Sequence, residues 1–226
     1  MPTEPLQEAL RATRWGTLLA PEQLARVAAE STESLATTGA FVCRKGEAVD
    51  SWFGILEGLV KMMISTSDGR TSTFTGIPAG GWFGEGSLLK TEPRRYDVVA
   101  LRDTRVVRVP RRTFEWLLNT SIPFNRFQLV QLNERHGQFI SMLETQRLHG
   151  PDVRVARCVA QLFNPILYPG IDRKLEVSQE EIGYLSGISR QRVNQALQTL
   201  QQAGLLQVEY GAIVIEDLEG LRRYES

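Results

Sequence analysis

Residues 178–204 read SQEEIGYLSGISRQRVNQALQTLQQAG, and the reading of the whole chain turns on them. Ser178 precedes an apolar-periodic run and Glu181 follows three residues later, the spacing of a capping box that opens a helix. Ile182 and Leu185 supply that helix's apolar contacts. Gly187 marks a sharp turn that asks for a positive φ. Ser189 can cap a second helix, and Gly204 stands where a helix end takes a glycine. The pattern predicts two helices joined by a tight turn.

The second helix has two distinct sides. Val193, Leu197 and Leu200 recur at intervals of four and three and form one apolar stripe. Arg190, Gln191, Asn194, Gln195 and Gln198 fall opposite, on a side with guanidinium and amide groups and no carboxylate. Arginine matches guanine O6/N7, and asparagine or glutamine matches adenine N6/N7, so this is an inventory for reading base edges in a major groove. A solvated surface would also hold glutamines, which are good helix formers. The turn, the caps and the sign of the charge together favour DNA. Residues 205–210 and 212–215, split by Gly211, predict a hairpin beside the helix pair, and Asp217 can cap a short last helix.

Length and composition bound the rest. The 226 residues suffice for one large or two small domains, and 42% apolar residues allow a core. No apolar run approaches the roughly 18 residues of a membrane span. The N-terminus lacks the basic-then-apolar pattern of a secretory signal, so the expectation is a cytoplasmic protein with no membrane partner. Formal net charge is zero, and from Pro151 onward eight basic residues stand against ten acidic ones, which argues against nucleic acid. Yet no acid lies between Glu181 and Glu209, so a local positive patch survives. Cys43, Cys158, His136 and His149 are the only cysteines and histidines, and they form no metal spacing or disulfide framework. No metal is expected, and both cysteines read as small buried apolar residues.

Along the chain, residues 1–36 read as a polar start and then helical pieces, one opened by Pro21-Glu22-Gln23 with Leu24, Val27 and Ala28 inward. From about Thr37 the texture changes to short β-like runs. Gly46, Gly58, Gly69 and Gly80 recur at intervals of twelve, eleven and eleven, and runs at 52–56, 59–64, 71–77, 97–101 and 105–109 predict an all-β sandwich or barrel. A helical region begins at 114–118. A long helix then runs from Ser121 or Ile122 to about His149, with Pro123 tolerated in its first turn. Leu129, Leu132, His136, Phe139 and Leu143 follow a 3-4-3-4 spacing along it, a seam suited to pairing with a second copy. The alternative is a helix packed on its own β domain, through Phe127, Val130 and Ile140. Gly150-Pro151 breaks the helix and offers a hinge. Asp152 can cap the next helix, whose apolar side is Val153, Ala156, Val159, Ala160 and Phe163, and Pro165 and Pro169-Gly170 end it. The expected fold class is α+β, with a β-roll domain over 1–120, a dimerisation helix over 121–149 and a winged helix-turn-helix domain over 150–226.

This order of parts resembles the cyclic-AMP receptor/fumarate-nitrate regulator (Crp/Fnr) family, from about Leu18 to Leu218. Its most specific pieces are Arg44-Lys45-Gly46-Glu47, Gly80-Gly81-Trp82-Phe83-Gly84-Glu85, and Gln179-Glu180-Glu181-Ile182-Gly183 with Ser189-Arg190. The resemblance implies a non-enzymatic, homodimeric bacterial transcription regulator with double-stranded DNA, a second copy and RNA polymerase as partners. Arg190, Gln191, Asn194 and Gln195 would then touch bases, and Ser178, Gln179, Ser189 and Arg192 would complete the DNA contact, largely through phosphates.

Cyclic-nucleotide-binding members hold the ligand with a glycine and a glutamate at a short helix, and with an arginine about ten residues on. Gly84, Glu85, Gly86 and Arg95 occupy those places, with Tyr96 and Arg135 beside them as effector-site candidates. An ion pair between Glu85 and Arg95 would serve equally as plain loop structure. Tyr96 stands where Ser or Thr is usual, and Phe139 and Ile140 stand where hydroxyls meet the base, so the resemblance disfavours cyclic AMP and leaves another small effector or none. The cysteine cluster of the iron–sulfur branch is missing, and no histidine in the β-roll serves haem. The reading helix departs too, because family Glu and Arg positions become Gln191 and Gln195, which moves the expected target away from the inherited operator. A β-roll enzyme would need a histidine cluster or another catalytic set, and none is visible. A ligand-binding adaptor, whose winged helix meets protein, is the other rival.

Overall fold

The computed structural model describes residues 5–225 apart from 67, 170 and 172. Two helices, α1 (Pro5–Ala12) and α2 (Pro21–Glu30), lead into strands β1 (Thr32–Ala36), β2 (Phe41–Cys43), β3 (Ser51–Glu57), β4 (Leu59–Ser65), β5 (Thr71–Pro78) and β6 (Trp82–Phe83). A short helix α3 (Glu85–Lys90) precedes β7 (Asp97–Ala100) and β8 (Thr104–Pro110). Helices α4 (Arg111–Thr120), α5 (Ile122–Leu148) and α6 (Pro151–Leu162) follow. The last part comprises β9 (Lys174–Glu176), α7 (Gln179–Ser186), α8 (Arg190–Gln202), β10 (Leu206–Glu209), β11 (Ala212–Ile215) and α9 (Leu218–Arg223).

The β part is two four-stranded sheets, ordered β1-β8-β3-β6 and β2-β7-β4-β5, with antiparallel pairing throughout. Strands far apart in sequence become neighbours, as in a jelly roll. The four evenly spaced glycines all take positive φ at its turns. The change of texture comes earlier than the sequence predicts, because Thr32–Ala36 already pairs with β8. Strands β1, β2 and β6 escape local reading, since they are short and none alternates cleanly.

Phe53, Ile55, Val60, Ile77, Phe83 and Val98 fill the space between the sheets. A second cluster joins the N-terminal helices to the roll and to the start of α5 through Trp15, Trp52, Trp82, Phe114 and Phe124. The Trp15 and Trp82 rings meet edge to face at 5.0 Å, an arrangement that ring quadrupoles favour. Gly54 is required for this cluster, because a Cβ there would lie 2.6 Å from the Trp82 ring.

Ser121 caps α5, its hydroxyl accepting from the Phe124 amide at 3.3 Å. The inward side of α5 is polar. Gln128, Gln131, Arg135, Gln138 and Thr145 are buried, whereas Leu129 is 67% and Leu143 49% exposed, with Val130, Ile140 and Leu148 also outward. Of the three residues expected to pack on the chain's own β domain, Phe127 does so, and Val130 and Ile140 do not. Phe139, placed by spacing in the outward seam, is half-buried against the inter-sheet core. Leu132 is half-buried and His136 exposed.

The break at Gly150-Pro151 separates α5 from α6 as expected, and Val153, Ala156, Val159, Ala160 and Phe163 are all buried. Asp152 does not cap α6. Gly150 holds the cap position without a side-chain bond, and Asp152 sits inside the first turn with its carboxylate 3.5 Å from Arg192. Of the expected Pro169-Gly170 stop, Gly170 lies outside the described residues. Strand β9 adds a third strand to the predicted hairpin through β11, a long-range pairing that no local signal marks.

Candidate nucleic-acid interface and effector chamber

The helix pair is built as its residues dictate. The Ser178 hydroxyl accepts from the Glu181 amide at 3.2 Å, and the Glu181 carboxylate accepts from the Ser178 amide at 2.5 Å, closing the capping box. Gly187 ends α7 with φ +66°, which an L side chain rarely adopts. Ser189 caps α8, accepting from the Arg192 amide at 3.4 Å. Val193, Ala196, Leu197 and Leu200 lock α8 into a core with Ile182, Leu185 and Val159.

The opposite side of α8 is open. Arg190, Gln191, Arg192, Gln195 and Gln198 are exposed, and Asn194 is half-buried. Among the described residues Arg190 has no carboxylate partner, so its guanidinium is free to meet a base edge. Gln179 donates to the Asn194 side-chain oxygen at 3.1 Å, which ties the start of α7 to the middle of α8. Arg192 is engaged twice, donating to the Gln195 side-chain oxygen at 3.0 Å and pairing with Asp152. Between this surface and the β10–β11 wing lies a cleft of about 420 Å³, lined by Ser178, Gln179, Arg190, Leu197 and Tyr210 among others. Tyr210, fully exposed at the wing tip, went unnoticed in the sequence, where only Gly211 beside it signals the turn.

Two β-roll side chains meet the helix pair directly. Arg102, between β7 and β8, donates to both oxygens of Glu181, from Nη2 at 2.7 and 2.6 Å and from Nε at 3.2 Å. Lys61 of β4 places its ammonium 4.3 Å from the centre of the Tyr184 ring on α7.

Inside the roll, Glu85 and Arg135 are both buried and face each other at 3.6 Å. Arg135 also donates to the Trp82 carbonyl at 2.7 Å. Burial opposes its charge, and the oxygens of Tyr168, Glu85 and Tyr96 outweigh that, so its pKa is moved up. Tyr96 lies inside, where burial and then the charge of Glu85 push its phenol up. Arg95 is not part of this set. It is exposed and pairs with Glu92 at 2.8 Å, so among the described residues the expected Glu85–Arg95 pair does not form.

Arg94 takes the inward place instead. It is 4% exposed, donates to the Ser51 carbonyl at 3.1 Å and lies 4.6 Å from the Phe53 ring centre. A Cβ on Gly84 would lie 3.2 Å from its Nη1. It precedes β7, so no strand alternation marks it; its place ten residues after Gly84 was the available signal. Gly86 has open space around it. Two buried guanidiniums and one carboxylate suit a small ligand carrying an anion and hydroxyls. Among the described residues, Glu85 Oε2, Arg135 Nε and Arg135 Nη1 are buried without a hydrogen-bond partner.

Cys43 is buried as expected, whereas Cys158 is half-buried; burial pushes the thiol of the first up to about 11 and of the second up to about 12, which disfavours the thiolate.

Residues 35–121 match the family model of the cyclic nucleotide-binding domain, and residues 153–224 match that of the Crp-like helix-turn-helix domain. The "CRP-like cAMP-activated global transcriptional regulator" of Mycobacterium tuberculosis is 26% identical over 189 residues, 82% of this chain and 84% of its own length. The "Transcriptional regulator SdrP" of Thermus thermophilus is 29% identical over 175 residues, 76% of this chain and 83% of its own. FixK2 from Bradyrhizobium japonicum superposes with a TM-score of 0.70 at 20% identity, over 87% of this chain and 98% of its own, a likeness of fold. A β-roll of the cyclic nucleotide-binding kind, followed by a capped helix pair with an open polar reading side, defines a DNA-binding transcription regulator. The chain belongs to the Crp/Fnr family. Among the described residues no helix is long and apolar enough to cross a membrane.

Proposed function

We propose that the protein acts as a homodimer, paired along α5, that reads a near-palindromic DNA site with two copies of α8 and is controlled by a small effector in the β-roll. The observation that carries this reading is the inverted polarity of α5. A helix that buries Gln128, Gln131 and Gln138 while exposing Leu129, Val130, Ile140 and Leu143 is turned the wrong way for a monomer. Pairing along that side covers the leucines and sets two reading helices about 34 Å apart, one per half-site. The seam centres on Leu129, Leu132, His136 and Leu143, with Phe139 of the same helix half-buried toward the roll.

Arg190, Gln191, Asn194 and Gln195 contact bases in this reading, with Arg190 preferring guanine and Gln195 adenine. Ser178, Gln179, Ser189 and Arg192 contact the backbone. The effector is held by Arg94, Arg135 and Glu85. Cyclic AMP fits poorly, because Tyr96 and Phe139 pack into the same core and neither Phe139 nor Ile140 offers a purine edge a hydrogen bond. Sedimentation tests the pairing: Leu129→Glu with Leu143→Glu yields monomers that bind a full site weakly, and an unchanged dimer overturns the assignment.

A further inference from the structure

The segment between α6 and β9 does not stay with the DNA-binding domain. It carries Leu167 and Tyr168 into the β-roll, where they are 1% and 0% exposed and belong to the core of Phe53, Ile77, Phe83 and Val98. The insertion is built rather than incidental. The Asn164 side-chain oxygen accepts from the amides of Ile166 and Leu167 at 2.9 and 3.0 Å, and its nitrogen donates to Glu134 of α5 at 2.7 Å. Gln131 donates to the Ile166 carbonyl at 2.7 Å. The Tyr168 hydroxyl donates to the Gly76 carbonyl at 3.1 Å. Gly81 leaves room for the ring, since a Cβ there would lie 3.0 Å from Tyr168 Cδ1. The ring thus lies against Gly81, and Arg135, the residue that faces Glu85, donates to the carbonyl of the next residue, Trp82.

We propose that Tyr168 is a self-supplied plug of the effector chamber, so that an occupied chamber and a docked DNA-binding domain exclude each other. The proposal rests on the reading of the β-roll as an effector domain. Leu162 and Leu185 close on Gly76 from the DNA-binding side, where a Cβ would lie 2.9 and 3.0 Å from them, so withdrawing Tyr168 loosens the same face that holds α7. A ligand that reaches the partnerless atoms of Arg135 and Glu85 must push the phenol out. It shifts the balance between the two arrangements only by its difference in affinity for them.

Hydrogen exchange on the full-length protein tests the docking. In Tyr168→Ala, amides at 76–83 and 179–186 exchange at least about tenfold faster, while β3, β8 and the buried side of α8 keep wild-type protection. Tyr168→Phe, which keeps the ring, stays close to wild type. Unchanged exchange at both contact segments overturns the proposal, and so does a rise spread evenly through β3, β8 and α8. The chamber is tested with p-cresol, a free copy of the side chain: it raises the melting temperature of Tyr168→Ala by about 3 °C or more and leaves wild type unmoved. An equal response of the two proteins, or none in the variant, contradicts the plug. A mobility shift of wild type on DNA is scored separately. Its failure sinks the regulator reading, while the exchange result still decides the plug.

Discussion

Arg102 of the β-roll and Glu181 of the helix-turn-helix are joined by a forked ion pair, with Nη2 2.7 Å from one carboxylate oxygen and 2.6 Å from the other. Glu181 is also the capping residue of α7, bonded to the Ser178 amide. The carboxylate that closes the capping box of the first helix of the helix-turn-helix is thus held by an arginine of the β-roll. Arg102→Ala leaves Glu181 buried without its cation and lowers unfolding stability by about 1–3 kcal/mol, less than a fully buried pair because the arginine is partly exposed. Arg102→Lys recovers only part of this, since an ammonium cannot match both oxygens. Urea unfolding of the three proteins measures it.

Asp152 holds Arg192, a phosphate-contact candidate, at 3.5 Å. Asp152→Asn removes a carboxylate that competes with phosphate for that guanidinium. Affinity then rises by about 0.5–1 kcal/mol on specific and random duplexes alike. Arg192→Ala weakens both alike and lowers the salt slope by about one. Titrations at two salt concentrations read both effects.

Acid stability has a local source in α2. The Thr113 hydroxyl donates to Glu30 and holds its carboxyl below the usual range, with Arg26 helping. A carboxyl depressed in the folded state stabilises fully above its unfolded pKa of about 4.3, and that contribution is lost as pH falls through the folded value. Thr113→Val costs about 1 kcal/mol at pH 7, and the gap from wild type narrows as pH drops below about 4. Thermal melts at several pH values follow it.

Much of this was legible because it is local. The capping box, Gly187, the Ser189 cap, the α8 stripe and the spaced glycines each depend on a few adjacent residues, and each forms as its chemistry requires. What escaped depends on contacts across the chain. Strand β9 finds β11 only in three dimensions, and Asp152 leaves the cap role for Arg192 on another helix. Arg94 and Arg95 are neighbours in the stretch before β7, both near the family spacing, and only the tertiary fold turns the first inward and leaves the second exposed. Tyr168 lies in a stretch with no periodicity, so nothing in the chain announces that it enters the β-roll.

The open polar side of α8 is the proposed reading surface, and Arg190 is its one exposed guanidinium without a carboxylate partner among the described residues. Sites are selected from a random duplex pool by the wild-type protein, and the affinity of Arg190→Ala is then compared with wild type on the selected site and on random DNA at one salt concentration. Base reading by Arg190 predicts a loss of about 1–3 kcal/mol on the selected site, relaxed preference at one guanine, and little change on random DNA. Equal losses on the two duplexes, or a pool that yields no preferred site, contradict base reading by this helix.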